Sequence, residues 1–172
     1  PSQIIRLLEN KTEKLREILP ALIAKQSIKD RQEAQVYEGL AGFKTMNYAL
    51  LEGGCQGDEF LFFAANAPNL YDYPDAVEFY SDLEKEVSRR GLRHRGIAPK
   101  DMEWRFERRD KKKIYFVDFP TIYNTAICGN RIGIVSWGER IVSFLIESAQ
   151  LAQNYTDYFE SIWKTQKTGK GR

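Results

Sequence analysis

Hydrophobic and polar positions recur with different periods along this chain, and each change of period marks an element. From Ser2 to Ala24, the residues Ile5, Leu8, Thr12, Leu15, Leu19 and Leu22 are spaced alternately three and four apart, the seam of a helix that pairs with another helix. Pro20 removes a backbone donor there and predicts a bend near Leu19. From Gln35 a short VYEG strand leads into a helix over Leu40 to Leu51, which Gly53 and Gly54 close. The unbroken apolar run EFLFFAAN, Glu59 to Asn66, reads as a central strand covered on both faces, and Asn66-Ala67-Pro68-Asn69 interrupts it.

The clearest helix spans Pro74 to Arg90. Pro74 and Asp75 suit its first turn, Ala76, Tyr80, Leu83 and Val87 form one face, and Arg89, Arg90 and Gly91 end it. A strand over Leu92 to Ile97 follows, then Pro99 and a charged connection through Lys112, then a strand from Ile114 to Phe119. The last third holds two apolar runs around Gly129-Asn130, a third after Gly138, and a helix from Ser148 to Gln166 with Leu151, Tyr155, Phe159, Ile162 and Trp163 on one face. Strands and helices in this order predict an α/β fold: a largely parallel sheet to which the last hairpin adds antiparallel strands, hence a mixed sheet with helices on both faces. The expected organisation is a dimerisation or linker helix over 1–30, one α/β domain over 31–167 and a disordered tail over 168–172.

Charge is unevenly placed. The net charge is +2, yet Arg89 to Lys113 contains eleven Lys/Arg against four Asp/Glu. Such a segment is a solvated face, an anion-binding rim or a nucleic-acid patch, and Trp104 and Phe106 among its arginines keep the last reading open. No apolar run approaches the roughly 20 residues of a spanning helix, and no secretory signal is evident, so a cytoplasmic protein with no membrane partner is expected. Cys55 and Cys128 have no CxxC spacing, and His94 is the one histidine, so neither a metal nor a cofactor is expected. His94 itself reads as a solvated or packed side chain rather than a general base.

The helix ending REILPALIA, the stretch VYEGLAGFKTMNYALL, the strand EFLFFAAN, the hairpin TAICGNRIGIVSW and the ending FLIES…YFESIWK together resemble the TrmB-like transcriptional regulators of prokaryotes. That resemblance implies a dimerising helix followed by a degenerate phospholipase D-like half-domain without catalytic activity, here a homodimer. It implies DNA as a partner through a winged-helix domain not present in this chain, and a small-molecule effector, a sugar or another metabolite. Phospholipase D-like enzymes use a His-x-Lys-x-x-x-x-Asp element. Placing Asn130 at the aspartate puts Thr125 at the lysine and Tyr123 at the histidine, and none of these can do the original work: a tyrosine hydroxyl of pKa roughly 10 needs a strong base beside it. No catalytic residue is therefore expected.

Replacing His and Lys by Tyr and Thr leaves neutral hydrogen-bonding chemistry, suited to polyols or similar metabolites. The candidate lining is Asn66, Tyr123, Thr125, Asn130 and Trp137, with Tyr123 and Trp137 also readable as packing residues and Asn130 as the positive-φ residue of its turn. Three other readings stand beside this one: a stand-alone nucleic-acid-binding domain using 89–113, a divergent phosphodiesterase, and a structural dimer whose ancestral pocket has filled in.

Overall fold

The structure, a computed structural model, describes residues 32–107, 113–121 and 123–168. The heptad positions Ile5, Leu8, Thr12, Leu15, Leu19 and Leu22, the expected bend at Pro20 and residues 169–172 lie outside the described residues.

Strand β1 (Glu33–Glu38) runs straight into helix α1 (Gly39–Leu51), the reversal made by Gly39 at φ +70°. Phe43, Met46, Asn47, Leu50 and Leu51 are the buried positions of α1, spaced as one face of a 3.6-residue helix requires. Strand β2 (Glu59–Phe63) buries Phe60 to one side of the sheet and Leu61 and Phe63 to the other, as its unbroken apolar run predicts. A 3-10 turn (Pro68–Asp72) precedes α2 (Pro74–Arg89), whose buried face is Ala76, Phe79, Leu83 and Val87, with Tyr80 packed beside it. Helix α2 ends in a Schellman motif: Gly91 has φ +70°, its N–H donates to Ser88 O at 3.0 Å, and Leu92 N–H reaches Val87 O at 3.1 Å.

Strands β3 (Arg93–Pro99), β4 (Ile114–Val117), β5 (Asn124–Cys128), β6 (Arg131–Trp137) and β7 (Ile141–Glu147) complete the sheet, and α3 (Ala149–Thr168) follows. Ser148 caps α3 through its hydroxyl, which accepts from Leu151 N–H at 3.3 Å. The strand order is β1-β7-β6-β5-β2-β3-β4. Helices α1 and α2 cover one face and α3 the other.

The sheet is mixed as expected but not largely parallel: only β2–β3 and β3–β4 run parallel, and the remaining pairings are antiparallel. The reason lies in the connections. The α2 crossover and the 100–113 segment return the chain for parallel pairing, whereas the two-residue turn after β5 and the three-residue turn after β6 can join only antiparallel neighbours. Strand β1 does not start a parallel crossover either, because it lies antiparallel against β7 at the sheet edge.

A second difference concerns the charged connection after Pro99. Lys100–Phe106 forms a 3-10 helix held to the domain by buried Met102 and Phe106, with the Phe106 ring against Phe62 and Phe116. Trp104 does not anchor the segment in this way; it is 60% exposed.

The β5–β6 turn corrects a third expectation. Gly129, not Asn130, takes the positive φ, at +59°, the arrangement of a turn with glycine in the first central position. Sterics require it, since a Cβ on Gly129 would lie 1.8 Å from the carbonyl oxygen of Gly53 at the end of α1. Gly129→Ala is expected to destabilise the domain by about 3 kcal/mol through its left-handed backbone and this clash. Urea unfolding against wild type, with Asn130→Ala as the mild control, measures it.

Candidate functional site

Alternation along β5 and β6 separates two concavities on opposite faces of the sheet. Thr125 and Ile127 face α3, with Ile132, Ile134 and Ser136 of β6 on the same side, while Ala126, Cys128, Val135 and Trp137 face α1 and α2.

On the α3 face, a groove of about 770 Å³ is lined by Tyr123, Thr125, Ser136, Phe144, Tyr155 and Tyr158, among others. The positions matched by counting to the phospholipase D histidine and lysine, Tyr123 and Thr125, therefore share one site. Thr125 is buried and its hydroxyl donates to Tyr123 O at 3.3 Å, whereas Tyr123 is 54% exposed. Among the described residues, hydroxyls are the only side-chain polar groups on this lining, and no base adjoins Tyr123 there to raise its nucleophilicity.

The other expected site residues lie elsewhere. Asn130 sits at the opposite end of β5, its amide donating to Glu147 Oε1 at 3.4 Å and its carbonyl accepting from Ser148 N–H at 2.9 Å, so it fastens the hairpin to the start of α3. Trp137 lies on the other face, packed edge-on against Phe43 at 5.2 Å and beside Tyr73 and Tyr80. Asn66 is exposed beyond β2, where it donates to Asp101 Oδ2 at 3.3 Å and accepts from Arg105 Nη2 at 3.4 Å.

On the face of α1 and α2, a pocket of about 530 Å³ opens beyond the carboxyl end of β2 and beneath the Lys100–Phe106 segment. Ligands favour such crevices at strand ends in α/β sheets. Its walls are mostly apolar, including Met46, Leu50, Phe62, Leu83 and Val135. Apart from Thr125, which borders both concavities, its polar members were not among the residues expected from sequence. Asn124 is fixed by Ala65 N–H donating to its Oδ1 at 2.9 Å, and Arg105 lies over the rings of Tyr71, at 4.5 Å, and Trp104, at 5.2 Å. The signal for Asn124 was available: it stands between Tyr123 and Thr125, so alternation points it to the opposite face. Arg105 was hidden in the basic segment, where charge alone drew notice.

Four of the described cations of that basic segment are paired within the molecule. Arg89 and Arg90 both pair with Glu86 and hold its carboxyl down to about 2, Arg89 contributing most. Arg95 makes two bonds to Glu59, at 3.0 and 2.6 Å, pairs with Glu160 of α3, and lies over Phe159 and Trp163. Lys100 pairs with Asp118 at 2.6 Å. His94, whose side chain is 12% exposed, packs with its Nε2 3.3 Å from Glu84 Oε1. Arg108, Arg109, Lys111 and Lys112 lie outside the described residues.

Cys128 is buried, and burial pushes its thiol up to about 11, which keeps it protonated at neutral pH; Cys55 is exposed. Among the described residues no helix is long and apolar enough to cross a membrane.

Because Thr125 and Asn130 sit more than about 10 Å apart along the strand, Thr125→Val and Asn130→Ala should act independently. A double-mutant cycle on unfolding is expected to give a coupling energy below about 0.5 kcal/mol; a larger value would mean that they share a site.

No known protein family matches the chain by sequence, and no curated protein does either. Solved structures do resemble it. TrmBL2, described as an archaeal chromatin protein with a novel mode of DNA binding, is similar at a TM-score of 0.57 and 16% identity; the match covers 94% of this chain and 62% of that one. The chain thus spans less than two thirds of TrmBL2. NucT from Helicobacter pylori, a phospholipase D-like protein, is similar at a TM-score of 0.53 and 9% identity over 78% of this chain and 97% of that one. Nuc from Salmonella typhimurium, a phospholipase D family member, scores 0.48 at 9% identity over 78% and 95%. With its seven-stranded mixed sheet covered by helices on both faces, the chain has an α/β fold of the phospholipase D-like kind.

Proposed function

We propose that this chain is the dimerising and effector-sensing part of a TrmB-like transcriptional regulator, and that it has lost phospholipase D catalysis. The observation that carries the reading is the groove on the α3 face: within a phospholipase D-like fold, Tyr123 and Thr125 line it, and among the described residues its lining has no imidazole, ammonium or carboxylate side chain. Likeness to TrmBL2 over 94% of this chain supports a regulatory rather than a hydrolytic relative.

In this reading the heptad residues Ile5, Leu8, Thr12, Leu15, Leu19 and Leu22 pair two copies, and DNA is contacted by winged-helix domains joined to them. Dimeric readers need a fixed half-site spacing, so a ligand that re-sets the angle between two attached heads changes operator affinity without touching the DNA. Coupling of this kind is worth about 1–3 kcal/mol, enough to alter affinity about 5- to 150-fold.

A direct nucleic-acid reading through 89–113 is weaker on the described residues, because Arg89, Arg90, Arg95 and Lys100 are already paired.

Light scattering is expected to give a dimeric mass for the 172-residue chain and a monomeric mass for a version lacking residues 1–24; a monomer in both cases overturns the mechanism. Hydrolysis of bis-(p-nitrophenyl) phosphate between about pH 5 and 9 is expected to be undetectable. Turnover that disappears in Tyr123→Phe would instead restore the phosphodiesterase reading.

A further inference from the structure

The pocket beneath α1 and α2 contains polar groups whose hydrogen bonds are not all made. Arg105 Nε and Nη1 and Asn124 Nδ2 are buried without a partner, and all three are donors. The amide of Asn124 has one orientation, because Ala65 N–H requires the oxygen. Arg105 is likewise placed, its Nη2 donating to Asn66 Oδ1 while Tyr71 and Trp104 support the guanidinium. The two donor side chains are thus anchored to consecutive residues, Ala65 and Asn66, beyond the end of β2. Buried donors without acceptors are rare in folded proteins, and several at one pocket specify what is missing: a group rich in acceptors.

The remainder of the pocket specifies the body attached to that group. Met46, Leu50, Phe62, Leu83, Val87 and Val135 present hydrocarbon, and about 530 Å³ suits a small metabolite. Two carboxylates also line the pocket. Glu84 is turned to His94, and Glu107 is exposed.

We propose that this pocket binds a small organic acid, its carboxylate taking hydrogen bonds from Arg105 and Asn124 and its apolar body lying against α1 and α2. A carboxylate accepts through two oxygens and carries the charge that a guanidinium favours, which a neutral polyol does not. These donor atoms are closed to water, so an acceptor of the head group is the partner that would complete them. The inference deepens the effector-sensing reading by naming the class of effector and by moving its site from the groove at Tyr123 and Thr125 to the opposite face.

Calorimetry on the 172-residue chain tests it with octanoate, 1-octanol and inorganic phosphate as probes. Octanoate is expected to bind once per chain and at least about tenfold more tightly than octanol, and phosphate alone not to bind. Asn124→Asp keeps the acceptor for Ala65 N–H and sets a second carboxylate where the head group would lie. It should weaken octanoate about tenfold or more and leave octanol unchanged, and Arg105→Gln should do the same. Equal affinity for octanoate and octanol, no octanoate binding, binding of phosphate alone, or variants that bind octanoate as wild type does would each overturn the proposal. The two readings fail separately: a dimer that ignores octanoate removes the pocket assignment, whereas octanoate binding by a chain that is monomeric with or without residues 1–24 removes the regulator mechanism.

Discussion

Period-two alternation along β5 is the constraint from which the chemistry of this domain follows. One strand delivers Thr125 to the α3 face and Asn124 and Ala126 to the face of α1 and α2, and its pairing with β2 and β6 fixes that assignment across the sheet. A slip of one residue would exchange the two sets and carry Cys128 and Ile127 to the wrong cores. Because β2 is buried on both sides, that slip is costly, and the faces stay distinct. The result is a sheet with a hydroxyl-lined groove on one side and a polar-tipped apolar pocket on the other.

The ends of the sheet are secured by different means. At the hairpin end, backbone meets backbone: Gly53 and Gly129 come within a distance no side chain would allow, and Arg131 adds a bond to Ala49 O at 2.5 Å and an ion pair with Glu147 at 3.2 Å. Across the α3 face, Arg95 gathers Glu59, Glu160, Phe159 and Trp163, so a β3 side chain holds the helix by charge and by ring contact together. Several described arginines are therefore structural, and a local excess of positive charge is a poor guide to a free basic surface.

Much of the fold was legible in the sequence because the strongest signals were periodic. Helix α2, the β5–β6–β7 meander and α3 follow directly from spacing, glycine and proline, and the unbroken EFLFF run announced a strand buried on both sides. Pairing direction was less legible. Nothing in the residues of β1 says that its partner is β7, more than a hundred positions away, since edge pairing is decided by packing of the whole sheet. The site was the least legible part. Counting from Asn130 brought Tyr123 and Thr125 to one groove, but Asn66, Asn130 and Trp137 fell at three other places, because linear spacing carries no information on which end or face a residue reaches. Arg105 and Asn124 escaped notice for the converse reason: their significance rests on hydrogen bonds left unmade, which only three dimensions reveal.

The junction between β1 and α1 has a mechanical meaning. Strand ends at Glu38 and helix begins at Gly39, with no linker between them. The wall of the pocket formed by Met46, Asn47 and Leu50 is thus continuous, through one glycine, with the strand by which the preceding chain enters the domain. Slack that would absorb a movement has been left out at that point, and the hydrogen-bonded ladder to β7 stiffens the strand further. A tilt of α1 would therefore bear directly on β1 and, through that ladder, on β7.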